Sequence, residues 1–311
     1  MIHVLFENED WMPPLRSALA ARGLEFREHF VEGGQVDLMS APEPGVYINR
    51  MSPSSHTRGH QGGVVFVRSY LRHLEAYGMP VINGSKAFDL ELSKVEQDIA
   101  LRAAGIRTPH TMVVVGDQLK EAARQMPLPF ITKHNQGGKG LGVQLFRNLE
   151  SFDAYVDGPD FVDSPDGVTL LQQYVASRDE SITRVEIVNG EFLYAIRSST
   201  EGGFELCPAD ACAMDDQFCP VGDTGKFTLN PFIKADDPLI VAYIEMMRRN
   251  SIDVAGIEFV EDINGDRYTY DINGTSNYNG GVEDEHDVSG MGAIAALADS
   301  LLQSTYGVAA K

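Results

Sequence analysis

Between residues 129 and 146 the chain reads PFITKHNQGGKGLGVQLF, a strand-like run, a loop with four glycines and a second strand-like run. This order constrains the fold because glycine-rich phosphate loops usually lead into helices. The Walker pattern is missing, since no Gly-Lys-Ser/Thr follows a four-residue gap. The dinucleotide fingerprint fails too, because Gly138, Gly140 and Gly142 alternate and lead into a strand. What remains is a turn between strands. It is either an ordinary hairpin connection or a cover whose backbone N–H groups and Lys139 face an anion. Lys133, His134 and Lys139 concentrate positive charge there in a chain of formal net charge −20.

That net charge argues against nucleic acid as a partner, because phosphate backbones are bound through clustered Lys and Arg. With 311 residues, 43% hydrophobic and 23% charged, the chain has the make-up of a globular protein of one to three domains. No window approaches the ~18 consecutive apolar residues of a membrane span. The opening MIHVLFENEDW is acidic and does not read as a signal peptide. A cytoplasmic location with three reduced cysteines is the expectation.

The elements alternate at first. IHVLF (2–6) reads as a strand, Pro13-Pro14 open a helix ending near Gly23, and VYINRM (46–51) is a second strand. A polar loop, a helix over 64–78 and the strand MPVIN follow, predicting an α/β unit with a parallel sheet. Ser93 and Glu96 fit a capping box for a helix ending at Gly105. TMVVV (111–115) and PFITK (129–133) flank a short helix. TLLQQYV, ITRVEIV and EFLYAIR are further strands, with a hairpin signal at Asn189-Gly190. A loop-rich segment from 198 to 231 precedes the helix PLIVAYIEMMRRN. VAGIEFVEDINGDRYTYDING predicts a hairpin turning at Asn264-Gly265, and MGAIAALADSLLQSTYG a closing helix.

Several candidates accompany the glycine loop. Lys133 closes the strand before it, and Lys94 begins the capped helix, whose macrodipole adds to its pull on an anion. If 255–261 pairs with 267–273, Glu258 lies near Asp271, and Asp271 and Asn273 share one strand face. Two carboxylates and an amide oxygen are hard ligands suited to Mg²⁺. A turn is the competing reading of Asp-Ile-Asn-Gly.

The ordered set INRMSPSS, NGSKAFDLELSKVEQDIALRAAGIRTP, PFITKHNQGGKGLGVQLF, LLQQYV, ITRVEIVNGEFLYAI, VAGIEF and DINGTSN resembles the ATP-grasp superfamily, and within it the RimK-type glutamate ligases. The resemblance covers most of residues 46 to 305. It implies an α/β fold of three parts. These are an N-terminal parallel-sheet domain (1–88), a central lid domain (89–172) and a C-terminal antiparallel-sheet domain (173–311), with ATP between the last two. It implies phosphate contacts from Lys94 and Lys133, a lid formed by Gly137, Gly138, Lys139 and Gly140 through Gly142, and adenine contacts from Gln172, Gln173, Tyr174 and Val175. Arg184 and Arg197 would stabilise the transferring phosphoryl group. Glu258, Asp271 and Asn273 would hold one or two Mg²⁺ ions, with Mn²⁺ able to substitute. The implied reaction is carboxylate–amine ligation through an acylphosphate, with ADP and phosphate released and no protein nucleophile. The partners are small-molecule or peptide carboxylates and amines, with no nucleic acid or membrane; a homo-oligomer is compatible with the resemblance.

The match departs at several points. Ile182 stands where relatives carry an acidic residue suited to the ribose, leaving Asp179 or Glu180 for that contact. Asp271 replaces the usual Glu. Arg197 aligns less securely than Arg184. Residues 201–227 form an unusually long acidic stretch holding Cys207, Cys212 and Cys219, read as packing cysteines ahead of a metal or redox site, and as a solvated loop ahead of an amine-selecting one. Arg50, Ser54, Ser55 and Arg58, with Asn277, are candidates to grip a substrate carboxylate. His56, His60 and His134 read as surface or loop histidines. A small-molecule kinase on the same scaffold and an ATP-binding regulator are the alternatives.

Overall fold

The structure, a computed structural model, describes residues 1–137, 142–199 and 227–307. Its first sheet is parallel, in the order β2-β1-β3-β4, from β1 (Ile2–Phe6), β2 (Phe26–Phe30), β3 (Val46–Arg50) and β4 (Val81–Ile82). Between its strands run α1 (Pro13–Ala21) and α2 (Gln61–Ala76). Sequence reading missed β2, FREHF, because this edge strand mixes polar and apolar residues and Phe30 is exposed. The polar loop after β3 is ordered as a 3₁₀ helix, Pro53–Arg58, capped by Ser52.

Next come α3 (Ser85–Glu91) and α4 (Lys94–Ala103). Ser93 caps α4 by accepting a bond from the Glu96 N–H at 3.2 Å. Although expected at the start of the central domain, α4 packs with the C-terminal sheet. Leu101 shares a core with the helix over residues 238–249, and the Gln97 side chain bonds both the N–H and C=O of Ile272.

The second sheet is antiparallel, in the order β5-β8-β6-β7, from β5 (Thr111–Val115), β6 (Phe130–His134), β7 (Gln144–Phe146) and β8 (Val168–Gln173). Against it lie α5 (Leu119–Ala123) and α6 (Leu149–Val156), around a core that includes Phe130, Phe146 and Phe152.

The third sheet runs β11-β10-β9-β12-β13, from β9 (Ser181–Val188), β10 (Glu191–Ser199), β11 (Phe227–Leu229), β12 (Val254–Glu261) and β13 (Arg267–Asn273). Asn189 and Gly190 both adopt positive φ, the conformation a two-residue hairpin turn demands, and Gly265 does so at the second hairpin. The helix α7 (Pro238–Arg249) covers one sheet face with Ile240, Tyr243, Met246 and Met247. The chain ends in α8 (Gly280–His286) and α9 (Gly290–Tyr306), and α9 shares a core with α1 and the first sheet. N- and C-terminal segments therefore close on each other.

Candidate active site

Register on the third sheet assembles the site. Arg184 of β9 stands opposite Glu258 of β12, which stands opposite Asp271 of β13, so these three side chains form one row on one face. The next row is Tyr194, Glu186, Gly256 and Asn273. A bulge after Glu258 leaves Tyr270 as the extra residue of β13. Its hydroxyl donates to Glu258 Oε2 at 3.2 Å, and its backbone carbonyl accepts from Lys133 Nζ at 3.1 Å.

The cations converge on this row. Lys94 Nζ pairs with Asp271 Oδ1. Lys133, from the glycine-loop strand, lies 5.3 Å from the centre of the Tyr270 ring. Arg184 divides its donors: Nε to Glu186 Oε1 at 2.6 Å, Nη1 to Glu258 Oε1 at 3.0 Å and Nη2 to Ser276 Oγ at 2.9 Å. Gly256 makes this possible, since a Cβ there would fall within the Arg184 guanidinium.

Burial drives the Asp271 carboxyl up, but the charges of Lys94 and Lys133 outweigh it and hold it down to about 2. Burial raises the pKa of Glu258 against the pull of Arg184, and the Asp271 charge adds to the rise. A cation shared by the two carboxylates would relieve both. Among the described residues, no group of three or more His, Cys, Asp and Glu side chains is placed to hold a metal ion. The donor set is instead two carboxylates and the Asn273 amide, whose Nδ2 lies 3.3 Å from Asp271 Oδ2. That set suits Mg²⁺, which keeps waters and takes further oxygens from phosphates.

The remaining sequence candidates separate. Arg197 lies on the opposite sheet face, opposite Thr183, and bonds Ser181 Oγ at 2.8 Å and Asp179. Counting outward from the Asn189-Gly190 turn would put it opposite Ile182, on the face of Arg184. An irregularity between Phe192 and Tyr194 shifts the count by one and reverses the face. Glu180 is exposed in the turn before β9. Gln172 is buried and donates to Thr111 Oγ1 at 3.0 Å. Gln173 and Tyr174 follow at the strand end, and Val175 packs with Ile182, Val260 and Tyr270.

Arg50 is buried and donates to Ser276 O and Asn277 Oδ1, both at 2.7 Å, linking the first sheet to the loop after β13. Ser54 bonds Ser52. Among the described residues, the buried Ser55 Oγ and Arg50 Nε have no hydrogen-bond partner. Arg58 is taken by the buried Glu7. His134, expected at the surface, is buried and bonds Val162 O at 2.9 Å, and Gly142 folds back against its ring. Gly137 is the last described residue before the loop tip. Gly138, Lys139 and Gly140 lie outside the described residues, as do Cys207, Cys212 and Cys219.

Sequence reading missed Gln97, Asn83, Glu186 and Ser276. Glu186 left a signal, because Arg184 and Glu186 alternate with Val185 and Ile187 in ITRVEIV. Asn83, at positive φ, bonds the N–H groups of Asp253 and Val254 and the C=O groups of Val254 and Gly274, tying the first sheet to β12 and the loop after β13. No local pattern announces it.

One parallel sheet followed by two antiparallel sheets, with lysines from α4 and from the glycine-loop strand meeting carboxylates of the last, defines the ATP-grasp fold. The solved structures agree. A RimK domain ATP-grasp protein from Sphaerobacter thermophilus superposes with a TM-score of 0.67 over 94% of this chain and 98% of that one, at 17% identity. The ATP-grasp ligase PsnB, solved with a minimal precursor, gives 0.68 over 96% and 98%, at 14% identity. In sequence, the chain is similar to a probable alpha-L-glutamate ligase of Mannheimia succiniciproducens, 27% identical over 199 residues, which are 63% of this chain and 60% of that protein. The matched region thus spans less than two thirds of that relative's length. No family model matches the chain. No described helix is long and apolar enough to cross a membrane.

Proposed function

We propose that the protein is an ATP-dependent ligase that joins a carboxylate to an amine. One observation carries the reading: Arg184, Glu258 and Asp271 are direct neighbours on three adjacent strands, with Lys94 and Lys133 converging on the same face. The similarity to proteins named as ligases supports it.

Lys94 and Lys133 bind the ATP phosphates, each held by a different sheet unit, so that phosphate binding draws the units together. Arg184, fixed at three points, presents preorganised positive charge where charge develops on the transferring phosphoryl group. Glu258, Asp271 and Asn273 would hold Mg²⁺, or Mn²⁺ in its place, which neutralises the phosphoryl oxygens. A substrate carboxylate attacks the γ-phosphorus and ADP leaves; an amine then attacks the carbonyl carbon and phosphate leaves. Arg50 and Asn277 sit beside Ser276 and, with Ser55, orient the acid. Arg197, on the far face, has no part in these steps. The substrates are small molecules or peptides, and a reaction that consumes ATP belongs in the cytoplasm.

Incubation with ATP, Mg²⁺ and pooled amino acids and short peptides tests the reading. Equal ADP and phosphate are expected, with a product mass of acid plus amine minus water. ADP with a phosphorylated metabolite and no free phosphate would overturn it.

A further inference from the structure

The row beside Arg184 holds chemistry that the phosphoryl-transfer reading does not use. Glu186 is 1% exposed, and among the described residues only one of its oxygens is engaged: Oε1 accepts from Arg184, while Oε2 is buried with no hydrogen-bond partner among them. The Tyr278 hydroxyl is buried and has no partner among the described residues either, and its ring packs against Gly290, where a Cβ would strike it. Tyr194, next to Glu186 across the sheet, donates to Glu283 Oε1 at 3.0 Å, which also accepts from the Gly290 N–H at 2.6 Å. Burial raises the pKa of Glu283, Tyr194 and Tyr278, and the nearby Glu186 charge adds to each rise. At Tyr278 the charges of Arg50 and Arg184 oppose that rise without cancelling it. Arg184 already serves Glu186, Glu258 and Ser276.

A buried carboxylate oxygen without a hydrogen bond keeps its full desolvation penalty, so its retention calls for a ligand. We propose that Glu186, with the Tyr278 hydroxyl and Glu283, is the seat of a primary ammonium group on the amine substrate. Three N–H donors of an ammonium match two carboxylates and a phenol oxygen. The row lies two residues along the strands from Arg184 and Glu258, about 7 Å, the reach from a phosphoryl group to an amine that attacks once the ammonium has passed a proton to the Glu186 carboxylate. The acceptors left over there, a carboxylate oxygen and a phenol oxygen, favour N–H donors over an apolar group. This specificity role rests on the ligase reading and narrows it to amino-acid-type amines.

Calorimetric titration of the full chain with AMP-PNP and Mg²⁺ present decides it, using L-alaninamide, which carries an ammonium and no carboxylate, against N-acetyl-L-alaninamide, which carries neither. The expected result is binding of the first only, weakened tenfold or more by Glu186→Gln and about threefold by Tyr278→Phe, with AMP-PNP affinity kept. Tyr278→Phe removes a hydroxyl with no partner among the described residues, so it covers the case in which Glu186→Gln folds poorly. Equal binding of both probes, or none, overturns the proposal, as does a parallel loss of AMP-PNP affinity, which would make Glu186 a positioning residue for Arg184. Phosphate release from pooled acids and amines is read on the same preparation. Ammonium binding through Glu186 without phosphate release would break the ligase reading alone; phosphate release without Glu186-dependent binding would break the ammonium seat alone.

Discussion

The two faces of the C-terminal sheet are built from the same strands and buried to a similar depth, yet they do opposite work. On one, Val185, Ile187, Ala255 and Ile257 interlock with α7. On the other, one residue along, stand Arg184, Glu186, Gly256 and Glu258. Ile257 is 0% exposed and Glu258 2%. Burial alone therefore does not tell the faces apart; pairing does. Apolar contacts satisfy the first face locally, whereas the second is satisfied by ions from other elements, with Lys94 from α4 and Lys133 from β6.

Substitution should separate the faces. The largest effect is expected for Asp271→Asn, which removes the carboxylate between two lysines and one of two carboxylate donors for a metal. ATP-dependent phosphate release should fall roughly 10³-fold, in line with several kcal/mol of lost electrostatic stabilisation. A loss below tenfold would remove Asp271 from the machinery. Ile257→Ala, one residue from Glu258 on the other face, should cost about 3 kcal/mol of stability in denaturant unfolding, with activity per folded molecule within about twofold of the parent. A large activity loss without destabilisation would dissolve the distinction between faces.

Gly256→Ala sharpens it further. The added methyl meets the Arg184 guanidinium rather than the core, so activity should drop about 10²-fold while unfolding shifts by no more than about 1–3 kcal/mol. The smallest effect lies at the edge of the polar face. Burial pushes the Glu91 carboxyl from 4.5 up to about 7, against bonds from Thr275. Because the folded value lies above the unfolded one, the protonated form stabilises the fold, and that contribution is lost as pH rises from about 4.5 through 7. Chemical denaturation should show the parent losing about 2 kcal/mol from this group between pH 5 and 7. Glu91→Gln should lack that slope; an unchanged slope would place the titration elsewhere.

Much of this arrangement was legible in the sequence wherever local signals fix geometry. The hairpin at Asn264-Gly265 brought Glu258 near Asp271, although the bulge at Tyr270 is what sets them directly opposite, and Ser93 with Glu96 marked where Lys94 begins its helix. Strand alternation in ITRVEIV separated the chemical residues from the core residues. The face of Arg197 was not legible, because one irregularity near Leu193 reverses every side chain beyond it and no residue type there announces it. Asn83, Glu91 and Gln97 were illegible for another reason. Their partners are backbone groups some 170 to 190 residues away, and backbone acceptors carry no sequence signature. β2 was hidden because an edge strand needs only backbone pairing on one side.

Asn83 also has a mechanical consequence. With four bonds to β12 and the loop after β13, beside the Arg50 clasp on Ser276 and Asn277, it welds the first and last sheets into one frame. The middle sheet is hung on that frame more lightly, through Asn135 against the start of α4, Lys133 against Tyr270 and the connecting strands. Any opening of the molecule therefore concentrates its torque at Asn135 and Lys133. The carboxylate row rides on the stationary arm with Lys94, and Lys133 travels with the swinging one.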